Sequence, residues 1–542
     1  MTQKNSHQLF TISLKNIFNK KSCIFVLAMV SSFSLSLFAQ SIDERYHTYP
    51  SFSPIPVPTN NIADAETLDY CLTAKYDALG YVAISAVYDN PSTYADQWCL
   101  KLVEFDNNGI IQLSGISKYI YAVPAQSTNL KSLKIITLEA NQGYVITGFY
   151  QNNTSTCPYP FVIQLDINYN VNAQHVYSTC GYFTDVDQIP GGGFIFSGSW
   201  SSTINNVATR RGALMRTDNN FSPIYSRSIF HLTPAISTIA FDIIHDLCII
   251  DDDQAYVTGA YSDECGSLPY EVSGHLLFGE VDLSTGNFNW TANIMQNIGS
   301  NFKHAIGSRV IFNDNYIAVA ANSENPSSSS ILFFDKATNA FTSGYYIENS
   351  TTALPNGSGR LLTHMPFIQN IYFIDNETVF FSCKQIGIQF NGNSANHYEI
   401  PSSGEVDVNG NVANGKVFIT DQHYSGILPE FTSYYGRTDA CGLQYMPFYA
   451  SSNTIPVNGT STGFITITHD KLDLMGNKTW IFTHDPNVCG YVELELFNVG
   501  SVVPQPQVSL DNIMMANPDK LDVVTWQRAL DRMEYDCDED LN

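Results

Sequence analysis

A small residue recurs along this chain at near-constant spacing, each time inside a β-rich run: Ala86, Gly148, Gly198, Gly259, Ala321 and Cys383. The steps are 62, 50, 61, 62 and 62 residues. In four copies an aromatic side chain follows two places later, Tyr88, Tyr150, Trp200 and Tyr261, in GYVAISAVY, GYVITGFY, GGGFIFSGSW and AYVTGAY. YIAVAANS and VFFSCKQ are looser copies. β-Branched and aromatic residues suit a pleated, half-buried surface, and a tiny side chain within such a run marks the close approach of another layer. Regular aromatics of this kind are expected to pack between repeats rather than to stack on a sugar.

Each unit continues with an apolar strand that ends in an Asp-led turn, as in LKLVEFDNNG, FVIQLDINYN, ALMRTDNNFS, LFGEVDLSTGN, ILFFDKATNA and GEVDVNGN. The turn residues are Asp106, Asp166, Asp218, Asp282, Asp335 and Asp407. Asp closes such turns by bonding its own backbone, while Gly or Asn takes positive φ. One strand leaves the turn (SPIYSRSI, NFNWTANI) and another precedes each small residue (KIITLEA, FDIIHDLCII). Four strands in about 60 residues, repeated, predict an all-β β-propeller of four-stranded antiparallel blades. Six units are plain, and a seventh is expected around FITITHDKLDLMGNKTWIFTHD, with Thr483 and His484 at the equivalent place. Seven blades are therefore expected, with six and eight as the neighbouring counts. The propeller is assigned to residues 40–500, and the segment 415–462 is an insertion or a degenerate extra blade.

Both ends differ from the repeat. Residues 1–39 have Lys15, Lys20 and Lys21 before the apolar run CIFVLAMVSSFSLSLFA, the pattern of a cleaved signal peptide. Residues 501–542 form an acidic tail, where Asn517 and Pro518 resemble an N-cap and first helical residue. Leu521, Val524, Leu530 and Met533 then follow helix-like spacing, which predicts a short helix near 518–535.

The whole chain has 26 basic and 51 acidic residues; without residues 1–39 the balance is 22 to 51, a formal net of −29. Such a surface repels nucleic acid and anionic lipid, so neither is expected as a partner. No integral membrane segment is expected after signal cleavage. Ten cysteines follow the signal, an even number that suggests disulfides in an exported chain. Cys157/Cys180 and Cys248/Cys265, close in sequence, are the favoured pairs.

The units GYVITG…FVIQLD, GGGFIFSG…ALMRTDNN and AYVTGAY…GEVDLSTGNFNW resemble the repeats of secreted bacterial β-propeller proteins, over about residues 68–420. The resemblance concerns the fold. It implies an exported or surface-associated protein, since many such proteins are type IX secretion substrates with a C-terminal sorting domain. The tail SLDNIMMANPDKLDVVTW is similar to the opening of that domain, but only 24 residues follow Pro518. A small β-sandwich needs about 70 or more. The sorting domain is thus expected to be absent or truncated.

No residue is singled out as catalytic. The three glycines 191–193 lead into a strand and carry no following Lys, unlike a dinucleotide or phosphate loop. VDLSTGNFNW, ending at Trp290, resembles the tryptophan corner of quinoprotein propellers, but in those it recurs in most blades and only five Trp exist in this chain, so no cofactor is expected. The acidic clusters 251–253 and 536–540 read as solvated turn and tail, and no metal site is expected. The expected function is a non-catalytic, secreted or cell-surface binding or scaffold module. It is expected to be monomeric, with an extracellular protein or glycan as partner. The alternatives are an extracellular polysaccharide hydrolase with facing carboxylates at the propeller mouth, and a truncated adhesin.

Overall fold

The structure, a computed structural model, describes strands and connections in stretches between His47 and Ala529. Side chains are described chiefly within residues 71–84, 99–106, 133–150, 158–200, 211–229, 242–260, 276–291, 306–322, 329–347, 368–383 and 403–411. Residues 1–43, which carry the expected signal peptide, lie outside the described residues, as do Cys157 and the side chains of Cys265, Tyr88 and Tyr261.

The chain is a β-propeller. Six blades each take four antiparallel strands in sequence order from one continuous segment. Their first strands are Cys71–Ala74, Thr128–Thr137, Gly181–Gln188, Ile243–Ile249, Ile306–Phe312 and Met365–Phe373. First strands of consecutive blades lie against one another from blade 1 to blade 6, so they are the inner strands. Two of the expectations above need correction. Six blades form, not seven. The segment assigned to a seventh makes a smaller sheet of Thr454–Pro456, Phe464–Asp470 and Lys478–Thr483, completed by His47–Tyr49 from the other end of the chain. Two of its strands are only three residues long, and it lacks the outer fifth strand that every blade has.

That fifth strand is the second correction. The expected tail helix is absent: Asp519–Lys520 and Val523–Ala529 are strands. Val523, Val524, Thr525 and Trp526 are strong strand formers, and the open edge of blade 1 supplies their hydrogen-bond partners. Residues 491–529 run past the blades in reverse order, adding one antiparallel strand each to blades 6, 5, 4, 3, 2 and 1. The segment forms a strap on the outer edges.

Packing explains the repeat. In blades 2 to 6 the inner strand bulges, and the residue just before the register shift stands opposite Gly148, Gly198, Gly259, Ala321 or Cys383. A Cβ on Gly198 would lie 2.1 Å from the Tyr182 carbonyl oxygen, and one on Gly259 2.0 Å from that of Ile243. The small column is thus the space into which each inner strand bends. In blade 5, where Ala321 stands in this column, its partner across the strands is itself glycine, Gly307.

Apolar clusters fill each of the five junctions between consecutive blades. Trp200 is buried at the junction of blades 2 and 3, edge-on to Phe183 at 5.6 Å, and Tyr150 packs partly buried against the junction of blades 1 and 2. Both pack as the repeat predicts. The Asp-led turns also form as expected. Asp166, Asp218, Asp282, Asp335 and Asp407 accept backbone N–H groups of their own turns. Several of these turns lean on the preceding blade. Phe221, at φ +62°, is buried and stacks on Phe194 at 4.8 Å, and the Tyr177 hydroxyl donates to its carbonyl. The left-handed backbone costs about 1–2 kcal/mol. Burying the ring returns about 1.5–3 kcal/mol, so the turn is stable with an aromatic where glycine is usual.

Of the two favoured cysteine pairs, one needs correction and the other falls partly outside the described residues. Cys248/Cys265 is not formed, because Cys248 carries a free thiol on the inner strand of blade 4. Cys180 is disulfide-bonded, and that bond does not involve Cys71, Cys99, Cys248 or Cys383. The partner of Cys180 is not among the described residues, and Cys157, the partner expected for it, lies outside them. Cys71 and Cys383 sit in apolar clusters as small hydrophobes rather than as cross-links.

The glycine run that opens blade 3's second strand yields a direct test. Gly198→Ala is expected to destabilise the fold by at least about 2 kcal/mol, since backbone must move. Gly191→Ala meets only the flexible Asp252 carboxyl, at 3.4 Å, and is expected to be near neutral. Equilibrium denaturation of both variants checks the contrast.

Candidate functional site

The inner strand of a blade has one edge with no strand beyond it. At the bulge of each inner strand, side chains cross to the next blade and fill that edge. The Thr184 hydroxyl of blade 3 donates to the Ile244 carbonyl of blade 4 at 2.6 Å, and the Ser308 hydroxyl of blade 5 donates to the Ile368 carbonyl of blade 6 at 3.0 Å. The carboxylates serve the opposite need. Asp185 Oδ2 accepts the Leu247 N–H at 3.0 Å, and Asp246 Oδ2 accepts the Val310 N–H at 2.7 Å.

The residue after the bulge is polar in five consecutive blades: Lys134, Asp185, Asp246, Arg309 and Asn370. These groups form two chains of charge. Lys134 Nζ lies 2.5 Å from Asp185 Oδ1. Arg309 reaches both ways, with Nη1 donating to Asp246 Oδ1 at 3.0 Å and Nε donating to Asn370 Oδ1 at 2.9 Å. Burial by itself would lower the Lys134 pKa, but the Asp185 and Asp246 carboxylates hold it above its ordinary value. His245, at the bulge of blade 4, is buried beside Arg309; burial first, then that positive charge, push it down to about 3, so it stays neutral.

Two residues further along the inner strands a second, half-buried row follows: Ile136, Asp187, Cys248, Ile311 and Tyr372. Asp187 is its only carboxyl. Burial, then the neighbouring Asp185 and Asp246, push its pKa up to about 7 against the pull of Lys134. Burial pushes the Cys248 thiol up as well, with Asp187 adding to the shift, so that sulfur is an unreactive thiol at neutral pH. Burial raises the Tyr372 hydroxyl to about 12.

Chemically, the first row is a brace, and the raised carboxyls span both rows: burial pushes Asp246 up to about 7 as well, against the pull of Arg309. Of the second row only Cys248 was singled out in the sequence, as half of an expected disulfide; none of the five polar residues of the first row was. The signal was present in the repeat: they precede the small column by 14, 13, 13, 12 and 13 residues, and a charged side chain at one register of an otherwise apolar inner strand is out of place. Residues that the sequence did single out are structural. Gly193 N–H donates to Asn219 Oδ1 at 2.7 Å within a turn, and Gly192 and Gly193 have φ of +104° and +84°. The Trp290 indole donates to Glu280 at 3.2 Å and sits edge-on to Phe278 at 4.9 Å. Asp251 closes its own turn by accepting the Asp253 N–H at 2.8 Å. Cys180 is half-buried in the bend between Val171–Val176 and the inner strand of blade 3, where it serves as a cross-link rather than as part of the axial rows. Among the described residues no group of three His, Cys, Asp or Glu is placed to hold a metal ion.

The proton at Asp187 has a sign that can be measured. Its folded pKa of about 7 lies above the unfolded carboxyl value of about 4, so the folded state binds the proton more tightly. The resulting stabilisation is full below about pH 4 and is lost as pH rises through 7. Asp187→Asn is therefore expected to become progressively more stable than the parent between pH 5 and pH 8, read as a widening gap in melting temperature. His245 acts in the other direction on acidification below about 6.5, in the parent and the variant alike.

No family model and no curated protein sequence matches the chain. Solved structures that match include a tryptophan-to-alanine mutant of the Synechocystis apocarotenoid oxygenase, at 11% identity and a TM-score of 0.30. The match covers 50% of this chain and 59% of that one. A likeness of that degree says nothing about the activity of this chain.

Proposed function

We propose that the chain works outside the cell as a non-catalytic β-propeller that binds or displays a partner, either a protein or a glycan. What carries this reading is the commitment of the two carboxyl groups at the bulges, Asp185 and Asp246. Both oxygens of Asp185 accept hydrogen bonds or pair with Lys134, and both oxygens of Asp246 are taken by Arg309 and Val310 N–H. A glycosidase needs two carboxyl groups facing an accessible sugar, about 5–10 Å apart. Groups locked into blade-to-blade bonds do not meet that need. The turn carboxylates are similarly occupied: Ser284 holds Asp282 below the usual carboxylate range, and Thr338 does the same to Asp335. The Lys-led apolar segment at residues 15–39 supports export, and the acidic surface supports a partner that is not a polyanion. Specificity then belongs to the loops on the blade frame.

The test is a glycan and protein binding screen on the chain after signal removal, run with and without a calcium chelator. Binding without turnover, unchanged by the chelator, is expected, because the turn carboxylates are filled by their own N–H groups. Hydrolysis of a polysaccharide that disappears in Asp187→Asn would replace this reading with the hydrolase.

A further inference from the structure

The charges of the axis do not balance. In the row at the bulges, the positive Lys134 and Arg309 match the negative Asp185 and Asp246, and each carboxyl there is held by a cation and by backbone N–H groups. Asp187, in the row beyond, is left over. Among the described residues its side chain makes no hydrogen bond and no ion pair.

The register places that carboxyl in a ring. Leu72, Ile136, Asp187, Cys248, Ile311 and Tyr372, one from each blade, all stand opposite the residue three places before the small column. They converge on the axis: Lys134 of blade 2 and Asp246 of blade 4 both act electrostatically on Tyr372 of blade 6. Leu72 is buried, and the other five are half-buried. From this ring the inner strands run into the turns that lead to the second strands, so those turns rim it. Five of the six turns carry carboxylates, among them Glu139, Asp252, Asp314 and Asp375. Their one lysine, Lys75, already pairs with Glu104 at 3.5 Å. The rim therefore draws cations toward the ring.

We propose that the axial ring around Asp187 binds a primary ammonium group on an alkyl stem, the head of a lysine side chain or of a free amine. The proposal names the partner chemistry of the non-catalytic binding module described above and rests on that reading. The Asp187 carboxylate supplies the counter-charge, and the Tyr372 hydroxyl oxygen a second acceptor. Leu72, Ile136 and Ile311 supply apolar wall for the stem. A metal ion fits less well, because no three His, Cys, Asp or Glu meet here among the described residues. Lys134 does not oppose the ligand, since Asp185 Oδ1 lies 2.5 Å from its Nζ, and Arg309 is committed to Asp246 and Asn370.

Proton and ammonium compete for one carboxylate. The charged and titratable groups around it are Lys134 from blade 2, Asp185 on its own strand, His245, Asp246 and Cys248 from blade 4, Arg309 from blade 5 and Tyr372 from blade 6. Burial first, then the neighbouring carboxylates, hold Asp187 at about 7. Ammonium binding is thus weak where the carboxyl is protonated, below 7, and strengthens as it ionises above 7. It weakens again where the amine itself deprotonates, near about 10.

Isothermal titration calorimetry with n-butylammonium chloride, and with a short lysine-containing peptide, tests the site. In the parent chain, n-butylammonium is expected to bind at pH 8 and about tenfold more weakly at pH 6. Asp187→Asn is expected to weaken binding at pH 8 at least about tenfold while its melting temperature is no lower than the parent's, so lost binding is not lost fold. Tighter binding of the peptide assigns the site to a protein partner, and tighter binding of n-butylammonium assigns it to a free amine; both support the proposal. No binding of either probe at millimolar concentration, or equal affinity in parent and variant, would overturn it. A partner from the binding screen that ignores Asp187→Asn, with neither probe bound, would leave the binding module standing without this site. Chemical conversion of a bound amine would keep the site and overturn the non-catalytic reading.

Discussion

The free inner edge of each blade is the constraint on which the described structure depends. A sheet that ends at an axis leaves N–H and C=O groups with no strand to pair with, and leaving a buried one unpaired costs about 1–3 kcal/mol. Repeating the sheet six times multiplies that cost. The chain meets it with a bulge in the inner strand, which turns Thr184, Asp185, Asp246 and Ser308 across to the neighbouring blade. The bulge in turn presses the inner strand toward the second strand, where only a small side chain fits. The sequence repeat and the charged axis are therefore two results of one bend.

Breaking that brace differs from removing a surface charge. Asp246 and Arg309 are both buried, and loss of one partner from a buried pair costs about 3–5 kcal/mol because the other is stranded. The brace is also polar where an apolar contact would have packed as well. Its directionality sets the spacing between neighbouring inner strands, while the apolar clusters at each junction supply most of the attraction.

The repeat, the blade and the Asp-led turns were legible in the sequence because each rests on local chemistry: a small residue, an alternating strand, an Asp that bonds its own turn. The axis was less legible. Lys134, Asp185, Asp246, Arg309 and Asn370 differ from one another, so no residue type repeats, and only their register marks them. The Cys248/Cys265 pair was misread because closeness in sequence does not decide closeness in space. Cys248 stands in an inner strand with a free thiol, whereas Cys180 stands in a bend and is cross-linked, not to Cys71, Cys99, Cys248 or Cys383. The tail was misread for a physical reason. Leu521, Val524 and Leu530 have helix-like spacing, but Val523, Val524 and Thr525 prefer a strand, and a waiting edge on blade 1 decided between the two. The seventh unit failed as a blade because its strands are short and the strap does not reach it. Inner edges are thus closed by side chains and outer edges by a distant piece of backbone, and only the first solution leaves a trace within each repeat.

Native-state hydrogen exchange at the Leu247 and Val310 amides tests the central claim most directly. Both lie on inner strands, and their partners are carboxylates of the preceding blade, Asp185 and Asp246. If the axis is held in this way, both amides exchange as slowly as ladder-bonded amides such as Val257 and Val319 in the second strands of the same blades. Exchange as fast as that of the exposed turn amides at Asp253 and Asn315 would contradict it.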